Sequence, residues 1–424
     1  MAKDNQQANS TFLGRFGLNK EILAISFARM SDSIGNGLLI VLLPLYIAQL
    51  DVSWLHVSQS IQVGIVLSVF GLITAFAQPL AGALTDRTGR QKEIIIGGLL
   101  LMGLSILMLV FVDTYEWLIL IRILQGIGLA ATIPASITLL TLATEKNRRG
   151  QGMGFYTTFR VLGFSIGPLL GGAAHDYLGF QTSFYISMSF VLAGAILVLI
   201  WVHNKEDVES KQDPAPFRII DKKLLTPGLL GLGFATFVMA SSFSMILTLE
   251  NKFNARLDQT AFAFGAAISA LMISRILLQM PFGWLSDRIG RKSIIITGLF
   301  VMAAATYLLG IVENTLQLTL VRVLQGIGSA GVAAPAFALG GDLTKSGGRG
   351  RQLSVLTIGF GLGIAMGPLL TGFLVGAFFQ LPFIFFALLL LAGAWIVHHF
   401  VPETVTPVSL KRLFVMIKQK AIKK

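Results

Sequence analysis

The chain has 424 residues, 54% of them hydrophobic and only 13% charged, with no cysteine and a net charge of +12. A mean hydropathy of +0.75 is more than a soluble core could absorb, and without cysteine there are neither disulfide staples nor thiolate metal sites. The positive charge would suit a nucleic-acid binder, but it sits in short connections between long apolar runs, which excludes that partner.

In chain order, 1–20 is polar and mildly basic, without a cleavable-signal pattern, and reads as a tail that stays in the protein. Six apolar runs of roughly twenty residues, the length that crosses about 30 Å of hydrocarbon, begin near Leu23, Ile61, Ile94, Trp117, Gly152 and Phe184, giving a first bundle over 21–202. A linker at 203–224 carries Glu206, Asp207, Glu209, Asp213, Pro214 and Pro216, a composition that cannot bury itself. Six further runs begin near Pro227, Ala261, Ile294, Leu316, Gln352 and Phe379, giving a second bundle over 225–401, and the tail 402–424 is basic. Within that tail Leu410, Leu413, Phe414 and Ile417 fall at helical spacing beside Lys411, Arg412, Lys418 and Lys420. Such a stretch suits an anionic membrane surface, or equally a solvated end.

The predicted fold is therefore all-α and polytopic, with 12 transmembrane helices in two six-helix bundles. Of 33 Lys and Arg, 26 fall on one side of these runs, only Lys252 and Arg256 on the other, and five inside them. The positive-inside rule then puts both termini in the cytoplasm of a multi-pass cell-membrane protein.

Two stretches repeat about two hundred residues apart. Gly82-Ala83-Leu84-Thr85-Asp86-Arg87-Thr88-Gly89-Arg90 returns as Gly283-Trp284-Leu285-Ser286-Asp287-Arg288-Ile289-Gly290-Arg291, and Arg122-Ile123-Leu124-Gln125-Gly126 returns as Arg322-Val323-Leu324-Gln325-Gly326. The bundles are thus parallel copies of one unit. The doubled turn resembles the signature loop of the major facilitator superfamily, between spans two and three and again between eight and nine. Span five adds Gly154, Gly163, Gly167, Pro168, Gly171 and Gly172, similar to a motif that this superfamily's drug and metabolite antiporters carry. Gly163, Gly167 and Gly171 share one helix face and let backbones approach, while Pro168 permits a bend, so the motif is expected to be a hinge and a packing seam. Span eleven keeps Gly363, Gly367, Pro368 and Gly372, with Ser354 and Thr371 in place of two glycines.

The resemblance implies a gate. Asp86 is expected to oppose the start of span eleven near 352–354, and Asp287 that of span five near 151–154, with Arg87, Arg90, Arg288 and Arg291 orienting the carboxylates. Asp342 is placed to join Arg288 or Arg291, whereas its first-half counterpart is Leu142, with Glu145 the only acid nearby. The alternative is that these basic turns serve topology alone.

Among 21 acidic residues only Asp32 lies well inside a span. A carboxylate at the bilayer centre costs on the order of 2.5 to 3.5 kcal/mol on insertion scales and persists only with a partner or a cavity. Arg29 and Asn36 share its helix face, and Arg122 of span four is the expected long-range partner. Burial disfavours an ionised carboxyl and a guanidinium favours it, so Asp32 is the candidate proton site. The competing reading is a permanent Asp32 to Arg29 tether. Arg322 faces no acid in span seven and reads as structural, while Arg160 and Arg275 would each hold an anionic cargo group or a backbone carbonyl.

Tyr46, Phe70, Tyr156, Phe159, Phe237 and Phe243, with Asn36, lie in spans that line the central cavity in this superfamily, and would suit an apolar or amphipathic cargo. Glu250 and Asp258 read as solvated. The five histidines show no metal spacing, so no metal is assigned.

No Gly-x-x-x-x-Gly-Lys-Ser/Thr loop exists to make the chain an ATP-driven pump, and one buried acid is not a hydrolytic constellation, so an enzyme is not expected. The expected function is secondary transport by alternating access. Its leading form is proton-coupled antiport exporting a hydrophobic or amphipathic small molecule, with the proton gradient as energy source and no cofactor. Alternatives are a sugar or lipid-like efflux carrier, or nutrient uptake. Partners would be the substrate, protons and membrane lipid, with the protein acting as a monomer.

Overall fold

The computed structural model describes residues 20–52, 55–144, 149–203, 226–344 and 349–405. The predicted tail up to residue 19, the linker from 204, Glu145 and the amphipathic stretch 409–424 lie outside the described residues. The elements are α1 (Lys20–Ile47), α2 (Gln59–Thr88), α3 (Gln91–Met108) and α4 (Tyr115–Ala143). Helix Arg149–Trp201 follows, interrupted at Gly179 with φ 77° and ψ 179°, so that 149–178 is α5 and 180–201 is α6. Then come α7 (Pro227–Ser244), a 3-10 turn, α8 (Glu250–Leu257), α9 (Ala261–Ile289), α10 (Arg291–Leu309), α11 (Thr315–Leu343), α12 (Arg349–Leu374) and α13 (Leu381–Phe400).

Among the described residues, eleven helices are long and apolar enough to cross a membrane, one of them covering Gln151–Trp201. Gly179 turns that one into two crossings. Gly163 and Gly171 of α5 meet Met30 and Leu38, whereas Gly194 of α6 meets Ala28 and Gly35 of α1 meets Ser187. The two arms therefore run antiparallel along α1, and α7 with α8 forms the seventh of twelve crossings.

Sequence chemistry sets the helix ends. Thr226 caps α7 by accepting from the Leu229 amide at 3.3 Å with Pro227 in the first turn, and Asn314 caps α11 by accepting from Gln317 N–H at 2.9 Å. Each signature turn is closed by a glycine at positive φ, Gly89 (62°) after α2 and Gly290 (107°) before α10, a conformation that strains other residues.

The chain divides into two compact units. One joins Met1–Phe217 to Ile246–Met272 and Pro368–Gly376, and the other holds Arg218–Met245, Ile273–Gly367 and Ala377–Lys424. One cut, between Phe217 and Arg218, falls within 203–224, while 246–272 and 368–376 group with the first unit. The seventh, eighth and eleventh crossings each have one end, within 246–272 and 368–376, bound into the first unit by contacts too close for side chains. A Cβ on Gly172 would lie 2.4 Å from the Ala261 oxygen, on Gly265 2.2 Å from that of Pro168, and on Gly372 2.6 Å from that of Ser60.

Within the first unit α5 lies on α1 through the span-five glycines. A Cβ on Gly163 would meet the Met30 oxygen at 2.5 Å, on Gly167 the Gly37 Cα at 2.7 Å, and on Gly171 the Leu38 Cα at 2.8 Å. Gly154 has nothing within 4 Å and stands outside this seam. In the second unit α12 packs on α7 in the same manner, with Gly359 against Gly233, Gly363 against Phe237 and Gly367 against Ser241. The seam there starts one turn earlier, at a position that Phe159 fills in α5.

Gly163→Val should lower the thermal unfolding midpoint of the purified protein in detergent, overpacking of this kind costing about 1 to 3 kcal/mol. Gly154→Ala should leave it unchanged or slightly raised. Equal losses from the two would contradict the seam.

Candidate functional site

Helix α1 is among the most enclosed crossings, with 78% of its apolar window buried, so a polar side chain there must find its partners inside the protein. Asp32 is 1% exposed. It forms an ion pair with Arg29, one turn before it, and accepts from Asn36 Nδ2 at 2.6 Å, one turn after it. Asn36 Nδ2 also reaches the Asp32 carbonyl at 3.0 Å. Arg160 of α5 acts electrostatically on both members of the pair. The cluster thus holds two guanidiniums and one carboxyl. Arg29 Nε, Ser33 Oγ and Tyr156 OH are buried without a hydrogen-bond partner among the described residues. A cavity of about 10 Å³, room for a single water, lies against Arg29 and Asp32 and is closed by Ile95, Leu99, Thr132 and Ser136 of α3 and α4.

Arg122 takes no part in this cluster, which corrects the expected Asp32 to Arg122 pair. Its guanidinium donates to Gln125 Oε1 at 2.6 Å and to the Val66 carbonyl at 3.3 Å, and stacks 4.1 Å from the Phe70 ring. The repeat explains why. Arg322 likewise donates to Gln325 Oε1 and to a neighbouring carbonyl, that of Phe243. Gln325 Nε2 then donates to Ser242 Oγ at 3.1 Å and to Thr306 Oγ1 at 3.1 Å. In both halves the Arg-x-x-Gln spacing, three residues along a helix, gives the arginine a side-chain acceptor on its own helix in place of an acid, with Arg322 Nε left without a partner among the described residues.

The glycine seams also show what the second half puts in place of Asp32. Met30, Ser33, Ile34 and Gly37 meet the seam of α5 as Phe237, Ala240, Ser241 and Ser244 meet that of α12. In that register Arg29, Asp32 and Asn36 correspond to Thr236, Met239 and Phe243. Only the first half carries the charged face.

The signature turns differ as well. In the second, Arg291 donates to Asp287 Oδ1 at 2.9 Å and to the Ala338 carbonyl at 2.9 Å, and pairs with Asp342. Thr404 Oγ1 donates to Asp342 at 2.6 Å, and Glu403 accepts from the Arg291 and Lys292 amides at 3.1 and 2.9 Å, capping α10. Arg288 lies 3.5 Å over the Trp284 ring. Asp342 thus pairs with Arg291, while Glu403 and Thr404 were not anticipated. In the first turn Asp86, Arg87 and Arg90 are exposed. Lys92 Nζ reaches the Leu199 carbonyl at 2.9 Å. Gly82 and Gly283 lie at ordinary contact distance, 3.7 Å from Pro134 and 4.0 Å from Ala334 for an added Cβ.

Two further expectations change. Tyr46 is a structural anchor: its hydroxyl donates to the Leu109 and Val112 carbonyls at 3.0 and 2.8 Å, and its ring packs on Phe180 and Phe184. Glu250, expected to be solvated, is fully buried, while Asp258 is exposed at the left-handed turn after α8. Phe159 packs edge-on to Phe27 at 4.8 Å and against Phe155 at 4.3 Å, and Phe237 lies 6.0 Å from Phe234. Arg275 faces Phe243 and Phe360 at 5.8 and 5.7 Å, within cation–π range.

The sequence profile of the Major Facilitator Superfamily matches residues 25–270 and 229–422. The chain belongs to this superfamily. This superfamily member is 28% identical over 356 residues to the multi-drug resistance efflux pump PmrA of Streptococcus pneumoniae, covering 83% of this chain and 88% of that one. It is 30% identical over 290 residues to the multidrug resistance protein MdtG of Escherichia coli, covering 67% and 70%. Among solved structures it resembles a bacterial homologue of the lysosomal transporter Spinster, with a TM-score of 0.75 at 13% identity, covering 89% of this chain and 95% of that chain. The nucleoside transporter NupG gives a TM-score of 0.73 at 15% identity, with 91% and 100% covered. The superfamily protein described here is accordingly a multi-pass membrane transporter and not an enzyme.

Arg29→Met or Asp32→Asn alone should each sharply lower the thermal unfolding midpoint in detergent, because breaking a buried pair typically costs about 3 to 5 kcal/mol. The double variant should recover most of the loss. Additive losses would show that the two side chains do not depend on one another.

Proposed function

We propose that this transporter exports a hydrophobic or amphipathic small molecule across the cell membrane in exchange for protons, by alternating access, with both termini in the cytoplasm. The observation that carries the reading is the enclosed Asp32, set between Arg29 and Asn36 and flanked by the buried Ser31 and Ser33. PmrA, named a multi-drug resistance efflux pump, and MdtG, named a multidrug resistance protein, support the direction of transport.

The chemistry follows from the pair. With Asp32 ionised, Arg29 is neutralised and Asn36 holds the second carboxylate oxygen. With Asp32 protonated, the cluster gains one positive charge, which a dry surrounding cannot screen. The two charge states therefore favour different packings of α1 against α5, and the glycine seam along which those helices meet lets the backbone respond. Proton uptake from outside and release to the cytoplasm would drive one cargo molecule outward per proton. Phe27 and Phe159, packed edge to face, with Phe155 tilted against Phe159, offer an apolar wall to a cargo of that kind. The energy source is the proton gradient alone, and the protein would act as a monomer in contact with membrane lipid.

Everted membrane vesicles with an acidified lumen test the exchange. Adding a lipophilic cationic or neutral dye that is transported should release lumenal protons, and Asp32→Asn should abolish that release while leaving gradient-independent dye movement. Undiminished proton release by Asp32→Asn would overturn the assignment of Asp32, and dye movement without proton release in the parent protein would overturn antiport itself.

A further inference from the structure

The end of the first unit away from the signature turns is latched by polar contacts. Asn251 of α8 donates to the Pro44 carbonyl of α1 at 2.7 Å, Thr248 to the Pro368 carbonyl at 3.0 Å, and the Phe262 amide of α9 to Asp176 Oδ2 of α5 at 2.8 Å. Among them stands Glu250, the first residue of α8, fully buried. Neither carboxyl oxygen has a hydrogen-bond partner among the described residues. Asn254, one turn on, is the side-chain amide turned toward it, with its own oxygen engaged by Gln259 at 3.2 Å. The charged group that acts on Glu250 from a neighbouring element is Asp176, another acid. Beside Asp176, the His175 ring packs 4.3 Å from Phe180 and its Nδ1 is buried without a partner. Tyr46 of α1 is committed to two backbone carbonyls, the first turn of α9 carries no charge, and Lys252, Arg256 and Asp258 of the α8 segment are exposed.

An ionised carboxylate in such a place would be a buried charge with the Asn254 amide as its one side-chain donor nearby and no counter-ion, beside a second negative charge, and its desolvation would be strongly unfavourable. A neutral acid leaves only a poorly paired polar group, at far lower cost. We propose that Glu250 is a proton-binding site of its own, distinct from Asp32: it holds a proton while 246–272 is packed on α1 and α5, and releases it to water when that packing parts. Because the packed form binds the proton and the parted form does not, acid favours packing and alkali favours parting. No cargo or exchange reaction enters this inference, so it stands or falls apart from the function proposed above.

The chain has no cysteine, so a single introduced thiol reports without background. Ala261→Cys, at a residue 4% exposed beneath Gly172, would be labelled with a membrane-impermeant maleimide in purified protein in detergent, its rate divided by that of Tyr177→Cys, at a residue 83% exposed. The normalised rate should rise several-fold between about pH 5 and about pH 8. Glu250→Gln, which mimics the protonated acid, should hold the rate at its acid value throughout. Asp176→Asn, which keeps an acceptor for Phe262 N–H, should move the midpoint to lower pH. A flat profile in the parent, or an unchanged rise in Glu250→Gln, would overturn the proposal. Should Glu250→Gln fail to fold, an unmoved midpoint in Asp176→Asn would do the same.

Discussion

Backbone against backbone is the contact on which this structure depends. Hydrocarbon gives no hydrophobic incentive for one apolar helix to seek another, so association rests on close packing and on hydrogen bonds. Glycines supply the closeness: carbonyls of α1 lie where side chains of α5 would be, and carbonyls of α7 where those of α12 would be. Alanine or anything larger would push these pairs apart and open the space in which the polar groups of α1 are sealed.

That closeness fixes the chemistry of Asp32. Held on a helix that α5 and α6 cover, its carboxyl is shut away from bulk solvent and takes Arg29 and Asn36 from its own face. The equivalent face of α7 carries Thr236, Met239 and Phe243, so duplication preserved the seam and discarded the charge. Asymmetry of the opposite sense marks the signature turns, where the second is bound by Arg291, Asp342, Glu403 and Thr404 and the first has Leu142 in place of the acid. One half carries the buried charge and the other the built-in clasp.

Much of this was legible in the sequence. Twelve crossings follow from run length and hydropathy, the parallel halves from the doubled motifs, and the α1 to α5 seam from glycines four residues apart. Asp32 stood out because acids are so expensive in hydrocarbon. What escaped notice has common physical causes. Arg122 was paired with the wrong group because charge suggested an acid, whereas Gln125, three residues on, satisfies a guanidinium at lower cost. Glu250 was read as solvated because it sits near the end of an apolar run, and nothing in the linear chain says that residues 246–272 fold back under α1 and α5. Glu403 and Thr404 follow the last crossing in a stretch that looks like the start of a tail, and only the folded chain brings them to the amides of α10.

This last arrangement changes where the protein ends in a physical sense. Residues 401–405 are the stopper of a helix that began more than a hundred positions earlier, with one carboxylate standing where that helix's own first amides would otherwise face solvent. A fusion or affinity handle joined directly behind Phe400 would therefore unseat a turn in the middle of the chain, whereas one joined beyond 405 would leave the plug in its socket.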